Sequence, residues 1–238
     1  MEVDDAYKLT LTYFRVRGRA ELTRLVFAAG AVPYEDDRIS REEVAQRKEA
    51  GLFPFGQVPV LTVNGKQFAQ SYSIAKFAAK VAGLMPLDPL DALAAESIVD
   101  STDDVRSKFV PIRYMPVSAE ERLKKYSDFF ERTLPPWLRN FERLFDKPTE
   151  LGFLVGNSLT VADLAVFNMC GYLTSPSCEV QAASPEHTAM GERCLEEFPR
   201  LKAHQTMVAA LPRIAAWLAS RPKHPHDNVV TLPESDFS

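Results

Sequence analysis

The chain has 238 residues, 46% hydrophobic and 25% charged, which is ordinary for a globular protein and enough for one large domain or two modest ones. A formal net charge of −4 argues against nucleic acid as the main partner, and no apolar run approaches the ~18 residues of a membrane span. The acidic start "MEVDDAYKL" does not read as a signal peptide, and Cys170, Cys178 and Cys194 form no CxxC or metal-ligand spacing, so a cytoplasmic protein with reduced thiols is expected.

Residues 7–14, "YKLTLTYF", alternate and are rich in β-formers, which predicts a strand ending at Tyr13-Phe14. From Arg19 the period changes. Leu22, Leu25, Val26 and Ala29 share one helix face, and Gly30 suits the left-handed residue that ends the helix. The junction carries Arg15, Arg17 and Arg19, although the free N–H groups of a helix start normally favour acids. An anionic ligand in the gap would account for those cations. "VPYEDDRI" predicts a second strand, and Ser40 with Glu43 forms a capping box for a helix reaching toward Gly51. Val60 to Val63 reads as a strand, and Asn64-Gly65 as a tight hairpin. Ser71 is expected to cap a helix with a buried stripe of Ile74, Phe77, Ala78 and Val81, closed by Gly83. The order β-α-β-α-β-β-α makes residues 6–84 a small α/β domain.

"LMPLDPLDA" reads as a linker, and 91–221 as an all-helical domain. Helices are expected from Asp91 to Phe109, and from the Ser118 capping box to about Phe145 with a bend at Pro135-Pro136. Another opens at the Thr160–Asp163 box, with Leu159 and Leu164 as its hydrophobic staple, and a last one spans 212–220. Residues 174–198 read as a long loop and 222–238 as an irregular C-terminal extension.

Three positions invite chemistry, each beside a plainer reading. Pro59 either merely starts an edge strand or follows a cis bond that exposes the Val58 backbone to an extended peptide. Gln70-Ser71 is either an ordinary helix cap or a carboxylate site at free N–H groups. Tyr13 is either a strand aromatic or a phenol that donates to a thiolate.

Together, "LTYFRVRGRAE", "PFGQVPVL" with "QSYSIA", and "LVGNSLTVADL" resemble the glutathione transferases, from about Lys8 to Arg221. The first string and "IVDSTDD" are most similar to the sigma class, which includes glutathione-dependent prostaglandin D synthases and S-crystallins. The resemblance implies an α/β thioredoxin-like N-terminal domain followed by an all-α C-terminal domain, glutathione as co-substrate, no obligatory metal, and a homodimer. It makes Tyr13 the catalytic tyrosine, supported by Arg19. Val58, before cis-Pro59, pairs with the cysteinyl unit, Gln70 and Ser71 hold the γ-glutamyl carboxylate, and Asp104 reaches across the dimer to the γ-glutamyl amine. Gln57 lies in the glutathione-contacting segment. Lys48 is the candidate for the glycyl carboxylate, in a helix where Val44 stands nearest the tryptophan of sigma members. Phe14, Arg15, Ala165 and Met169 are candidates for the second-substrate pocket. Asp100, Asp103 and Asp104 share a helix face, which in a dimer either takes a divalent cation or leaves solvated acids with Asp104 alone binding substrate. The expected activity is conjugation of the glutathione thiolate to small apolar electrophiles. The alternatives are a glutathione-dependent isomerase or peroxidase, and a non-enzymatic crystallin-like binder.

Overall fold

The computed structural model describes residues 7–146, 152–174 and 185–222. Strands β1 (Leu9–Phe14), β2 (Glu35–Ile39), β3 (Val60–Val63) and β4 (Lys66–Ala69) form one sheet in the order β2-β1-β3-β4. β2 runs parallel to β1, while β3 and β4 are antiparallel to their neighbours. A parallel pair needs a crossover, which α1 (Glu21–Gly30) supplies. The alternation of β1 sends Leu9, Leu11 and Tyr13 into the core. Thr10 and Thr12 project to the other side and donate to Glu35 and Asp37 of β2 at 3.0 and 2.9 Å.

Helix α2 (Arg41–Glu49) starts at the expected capping box, with both reciprocal bonds formed, and α3 (Ser71–Val81) follows β4. The hairpin at Asn64-Gly65 has φ of +51° and +84°, as its residue types require. Two expectations are corrected. α1 ends on Ala31 at φ +52°, not on Gly30. Gly30 lies within the helix, and a Cβ there would stand 2.5 Å from the Cβ of Ala82, so the glycine serves close packing rather than a left-handed turn. Likewise Ser71 is the first residue of α3, while Gln70 takes the cap position with φ +77° and no side-chain cap bond.

Helices are the only regular elements among the described residues of the C-terminal half. α4 (Pro89–Tyr114) extends past the predicted Asp91–Phe109 at both ends, its start capped by the Asp88 carboxylate. α5 (Ala119–Asp128) and α6 (Leu134–Arg143) follow one another without a non-helical gap, so the helix expected from the Ser118 box to about Phe145 is present, irregular near Pro135-Pro136. A π-helical turn, Phe129–Thr133, joins them just before Pro135 and Pro136, which have no N–H to offer the carbonyls of that turn. α7 (Val161–Leu173) opens on the predicted Thr160–Asp163 box. The Asp163 carboxylate, fully buried, also accepts the Leu154 N–H at 2.8 Å and faces His204 Nε2 at 3.0 Å.

The predicted loop 174–198 is corrected in part, because Pro185–Glu196 forms helix α8. Its Gly191 packs so closely on α7 that an added Cβ would lie 2.8 Å from the Leu173 carbonyl oxygen. α9 (Pro199–Ala210) went unpredicted and α10 (Pro212–Ser220) is as expected. Pro185, inside the predicted loop, leads α8, Pro199 leads α9, and Pro212 leads α10 as expected, positions where the fixed φ of proline suits a helix start. Residues 175–184, including Cys178, and the extension from 223 onward lie outside the described residues.

One apolar core runs from β1 and α1 through α4 and α7 to α10. Polar ties accompany it, among them Val161 N–H to the Leu84 carbonyl at 2.9 Å and Arg213 to the Ala29 carbonyl at 3.0 Å. Among the described residues no helix is long and apolar enough to cross a membrane.

Candidate active site

Strand β1 delivers Tyr13, 6% exposed, to the edge of a cleft of ≈ 650 Å³ between the β1–α1 loop, the end of α2, the loop before β3 and the start of α3. That volume falls within the ~300–1,000 Å³ of small-molecule sites. The Tyr13 hydroxyl oxygen accepts the backbone N–H of Arg19 at 3.1 Å. Gly18, at φ +45°, makes this approach feasible, because a Cβ there would stand 2.5 Å from the same oxygen. A phenol that accepts one hydrogen bond becomes a stronger donor through its own O–H.

The loop carrying Gly18 is fixed from below by Arg24, which is fully buried. Its guanidinium donates to the carbonyls of Val16 (2.6 Å), Arg17 (3.4 Å) and Phe14 (3.5 Å), and pairs with Asp36 at 3.1 Å and Glu21 at 3.7 Å. Glu21, 2% exposed, in turn accepts from Trp217 (3.1 Å) and Arg221 (3.0 Å) at the C-terminal end of the helical half. Burial and the Asp36 carboxylate push the nearby Tyr34 phenol well above its ordinary pKa. Arg24 is not among the residues singled out in the sequence. The signal available was its position directly before the apolar run Leu25–Ala29.

The opposite wall is built by the loop before β3 and the start of α3. The Val58–Pro59 bond is cis, and both residues line the cleft with Gln57. Gln70 and Ser71 line it too, at the N-terminus of α3, whose first N–H groups lack helical acceptors and favour an anion. The positive φ of Gln70, rare for a residue with a Cβ, marks a constrained backbone at this point. Lys48, Val44 and Phe55 close the far end, with the Lys48 Cε 3.5 Å from where a Gly56 Cβ would lie.

Two matches cover most of the chain: "Glutathione S-transferase, N-terminal domain" over residues 9–80 and "Glutathione S-transferase, C-terminal domain" over 103–221. The chain belongs to the glutathione S-transferase family. It is 35% identical over 226 residues to probable glutathione S-transferase 5 of Caenorhabditis elegans, covering 92% of this chain and 99% of that protein. It is 34% identical to the hematopoietic prostaglandin D synthase of Gallus gallus, covering 90% and 96%. Among solved structures it resembles the monomeric glutathione S-transferase Na-GST-3 of Necator americanus, with TM-score 0.71, 31% identity, and coverage of 92% and 99%.

Within this transferase the sequence candidates divide. Tyr13, Phe14, Arg19, Lys48, Gln57, Val58, Pro59, Gln70 and Ser71 share one cleft. Arg15 does not join them. It donates to the Arg38 carbonyl of β2 at 3.4 Å and lies 3.8 Å from Glu43 of α2. Ala165 and Met169 are buried and line a smaller void next to the cleft with Leu22, Tyr72 and Arg106. The three aspartates of α4 also part company within the chain. Asp100 pairs with Lys76 at 2.9 Å, Asp103 pairs with Arg19 at 3.4 Å and lines the cleft, and Asp104 is exposed outside it. Among the described residues no three His, Cys, Asp or Glu side chains form a metal-binding group. The Arg19 guanidinium therefore faces an acid, while its backbone N–H serves the tyrosine.

Cysteine chemistry lies elsewhere. Cys170 and Cys194 are buried in the helical half, away from the cleft. Burial, then the neighbouring Cys194, pushes the Cys170 thiol up to about 12. Burial, then Glu197, pushes Cys194 up to about 11. Neither has the thiolate character of a nucleophile at neutral pH.

Proposed function

We propose that this transferase binds glutathione in the cleft beside Tyr13 and presents its thiolate to small electrophiles, with the Tyr13 hydroxyl as the stabilising donor. The observation that carries the reading is the Tyr13 oxygen held by the Arg19 N–H, in one cleft with cis-Val58–Pro59 and the start of α3. Glutathione carries two carboxylates and an ammonium. The α3 N-terminus with Gln70 and Ser71 suits the γ-glutamyl carboxylate, Lys48 suits the glycyl carboxylate, and the Val58 backbone suits the cysteinyl unit between them.

The energetics agree. A thiol of pKa ~8.5 is only about 3% ionised at pH 7, and lowering it by two units raises that to about three quarters for ~2.7 kcal/mol. One hydrogen bond to a charged acceptor contributes about 1.5–3 kcal/mol, so a single well-held phenol suffices. In conjugation the sulfur lone pair forms the new S–C bond, the leaving group departs with its bonding pair, and the thiol proton passes to solvent. Holding both reactants in one site supplies the remaining rate gain.

The finer parts of the reading are a sigma-like class, a cytoplasmic location, a glutathione-binding unit over 6–84 and a homodimer. The exposed Asp104 and the exposed Phe55 at the cleft rim support a second copy that completes the site. Na-GST-3, described as monomeric, makes sedimentation the direct check of that point. A second reading, a glutathione-dependent isomerase, is favoured by the relative named hematopoietic prostaglandin D synthase.

Retention on immobilised glutathione, followed by turnover of 1-chloro-2,4-dinitrobenzene, tests the main reading. Retention with turnover supports a transferase; retention without turnover of this probe or any other electrophile points to a binding protein. An endoperoxide isomerised without formation of a conjugate supports the second reading.

A further inference from the structure

We infer that Arg106, with Asn168, recognises an anionic group on the second substrate, so that this transferase favours acidic electrophiles over neutral ones. The inference rests on the transferase reading above and concerns the other reactant. Two small voids, of ≈ 10 and ≈ 20 Å³, lie between α1, the start of α3, α4 and α7. They share Leu22, Tyr72, Arg106 and Asn168, and so form one branch. The smaller void is also lined by Arg19 and Ser71, which line the glutathione cleft, and by Gly18, the residue that lies against the Tyr13 hydroxyl. The branch therefore opens beside the position assigned to the reacting sulfur.

Its size and its charge point to the same ligand. Voids of this size hold about one or two waters, room for the oxygens of a carboxylate rather than for an aromatic ring. Among the described residues no carboxylate lines either void. Asp103 lies at the cleft side, where it faces Arg19 at 3.4 Å. Deeper in, the Arg106 guanidinium lies 4.3 Å from the centre of the Tyr172 ring, and the Arg113 guanidinium 4.5 Å from it. Tyr172, 8% exposed, lines the larger void, and its buried hydroxyl has no hydrogen-bond partner among the described residues. A guanidinium and an amide line this space, and both can donate to a carboxylate. Bound there, an acid places the rest of its skeleton toward Tyr13, where the sulfur attacks.

The test uses one electrophile in two forms, ethacrynate and its methyl ester, with glutathione and the full chain. For the unaltered protein the ratio of kcat/KM for acid over ester, divided by the same ratio for the uncatalysed reaction, is expected to exceed one and to shrink as salt is raised. Arg106→Met is expected to lower that ratio about tenfold, as the loss of a charge-assisted pair predicts. Arg106→Lys keeps the charge without the fork and is expected to fall between the two. An acid-over-ester ratio that is salt-independent in the unaltered protein and equal in both variants overturns the proposal, as does a rise in KM for glutathione with the ratio unchanged. The salt series needs no variant, so a misfolded Arg106→Met leaves the test intact. Failure of the transferase reading looks different: the unaltered protein then conjugates neither form.

Discussion

Arg19 and Arg24 leave the same short segment in opposite directions, and the floor and rim of the cleft differ accordingly. At the floor, Arg24 is fully buried among three carbonyls and two carboxylates, and Glu21 extends that network to Trp217 and Arg221. At the rim, Arg19 and Asp103 form a pair in which each side chain is 40% exposed. The same pair of charges has different consequences in the two places. Removing one partner from a buried network strands the others without water, whereas at the rim solvent already screens the loss. The floor is thus expected to govern whether the cleft exists, and the rim only how it is tuned.

The largest effect should follow Arg24→Met. It leaves Asp36 and Glu21 without their buried cation and the loop carbonyls without a donor, for an expected loss of about 3–5 kcal/mol in urea unfolding. A loss below ~1 kcal/mol would mean that the floor carries no more weight than the rim. Gln70→Gly separates binding from folding. Glycine adopts φ +77° freely, so stability should hold or rise, while loss of the amide should weaken glutathione binding about tenfold by calorimetry. Equal affinity in that variant removes Gln70 from the site. The smallest effect is expected at the rim: Asp103→Asn should change stability by less than ~1 kcal/mol, with any change in activity diminishing as salt rises.

Much of this molecule is legible in the sequence, and the exceptions share a cause. Period and capping residues placed β1, the Ser40–Glu43 and Thr160–Asp163 boxes and the Asn64-Gly65 hairpin, because each depends on residues close in the chain. The strings around Tyr13, Val58-Pro59 and Gln70-Ser71 led to the family that the comparisons show, and the structure gathers those residues in one cleft. What local pattern missed depends on distant partners. Gly30 is a glycine because of Ala82, and Arg24 belongs to the core because of Val16 and Asp36. Arg15 lies 3.8 Å from Glu43, a neighbour that α2 brings to it from 28 residues away. Pro185 fell in a stretch read as loop because its neighbours have mixed polarity, whereas it begins α8. Arg106 went unnoticed because one arginine on a polar helix carries no local signal. Only the packing of α4 against α7 brings it beside Asn168 and Tyr172.

The central claim is that the Tyr13 hydroxyl holds a thiolate. Titrating the ultraviolet absorbance of the thiolate in the glutathione complex tests it directly. An opposite-charge or hydrogen-bonding partner stabilises the ionised sulfur, so the pKa should fall and the thiolate persist to lower pH. For the unaltered protein the bound thiol is expected about two units below its usual ~8.5, and in Tyr13→Phe it should return to near 8.5 with glutathione affinity almost unchanged. A Tyr13→Phe complex that titrates with the same depressed pKa as the unaltered protein would contradict the account.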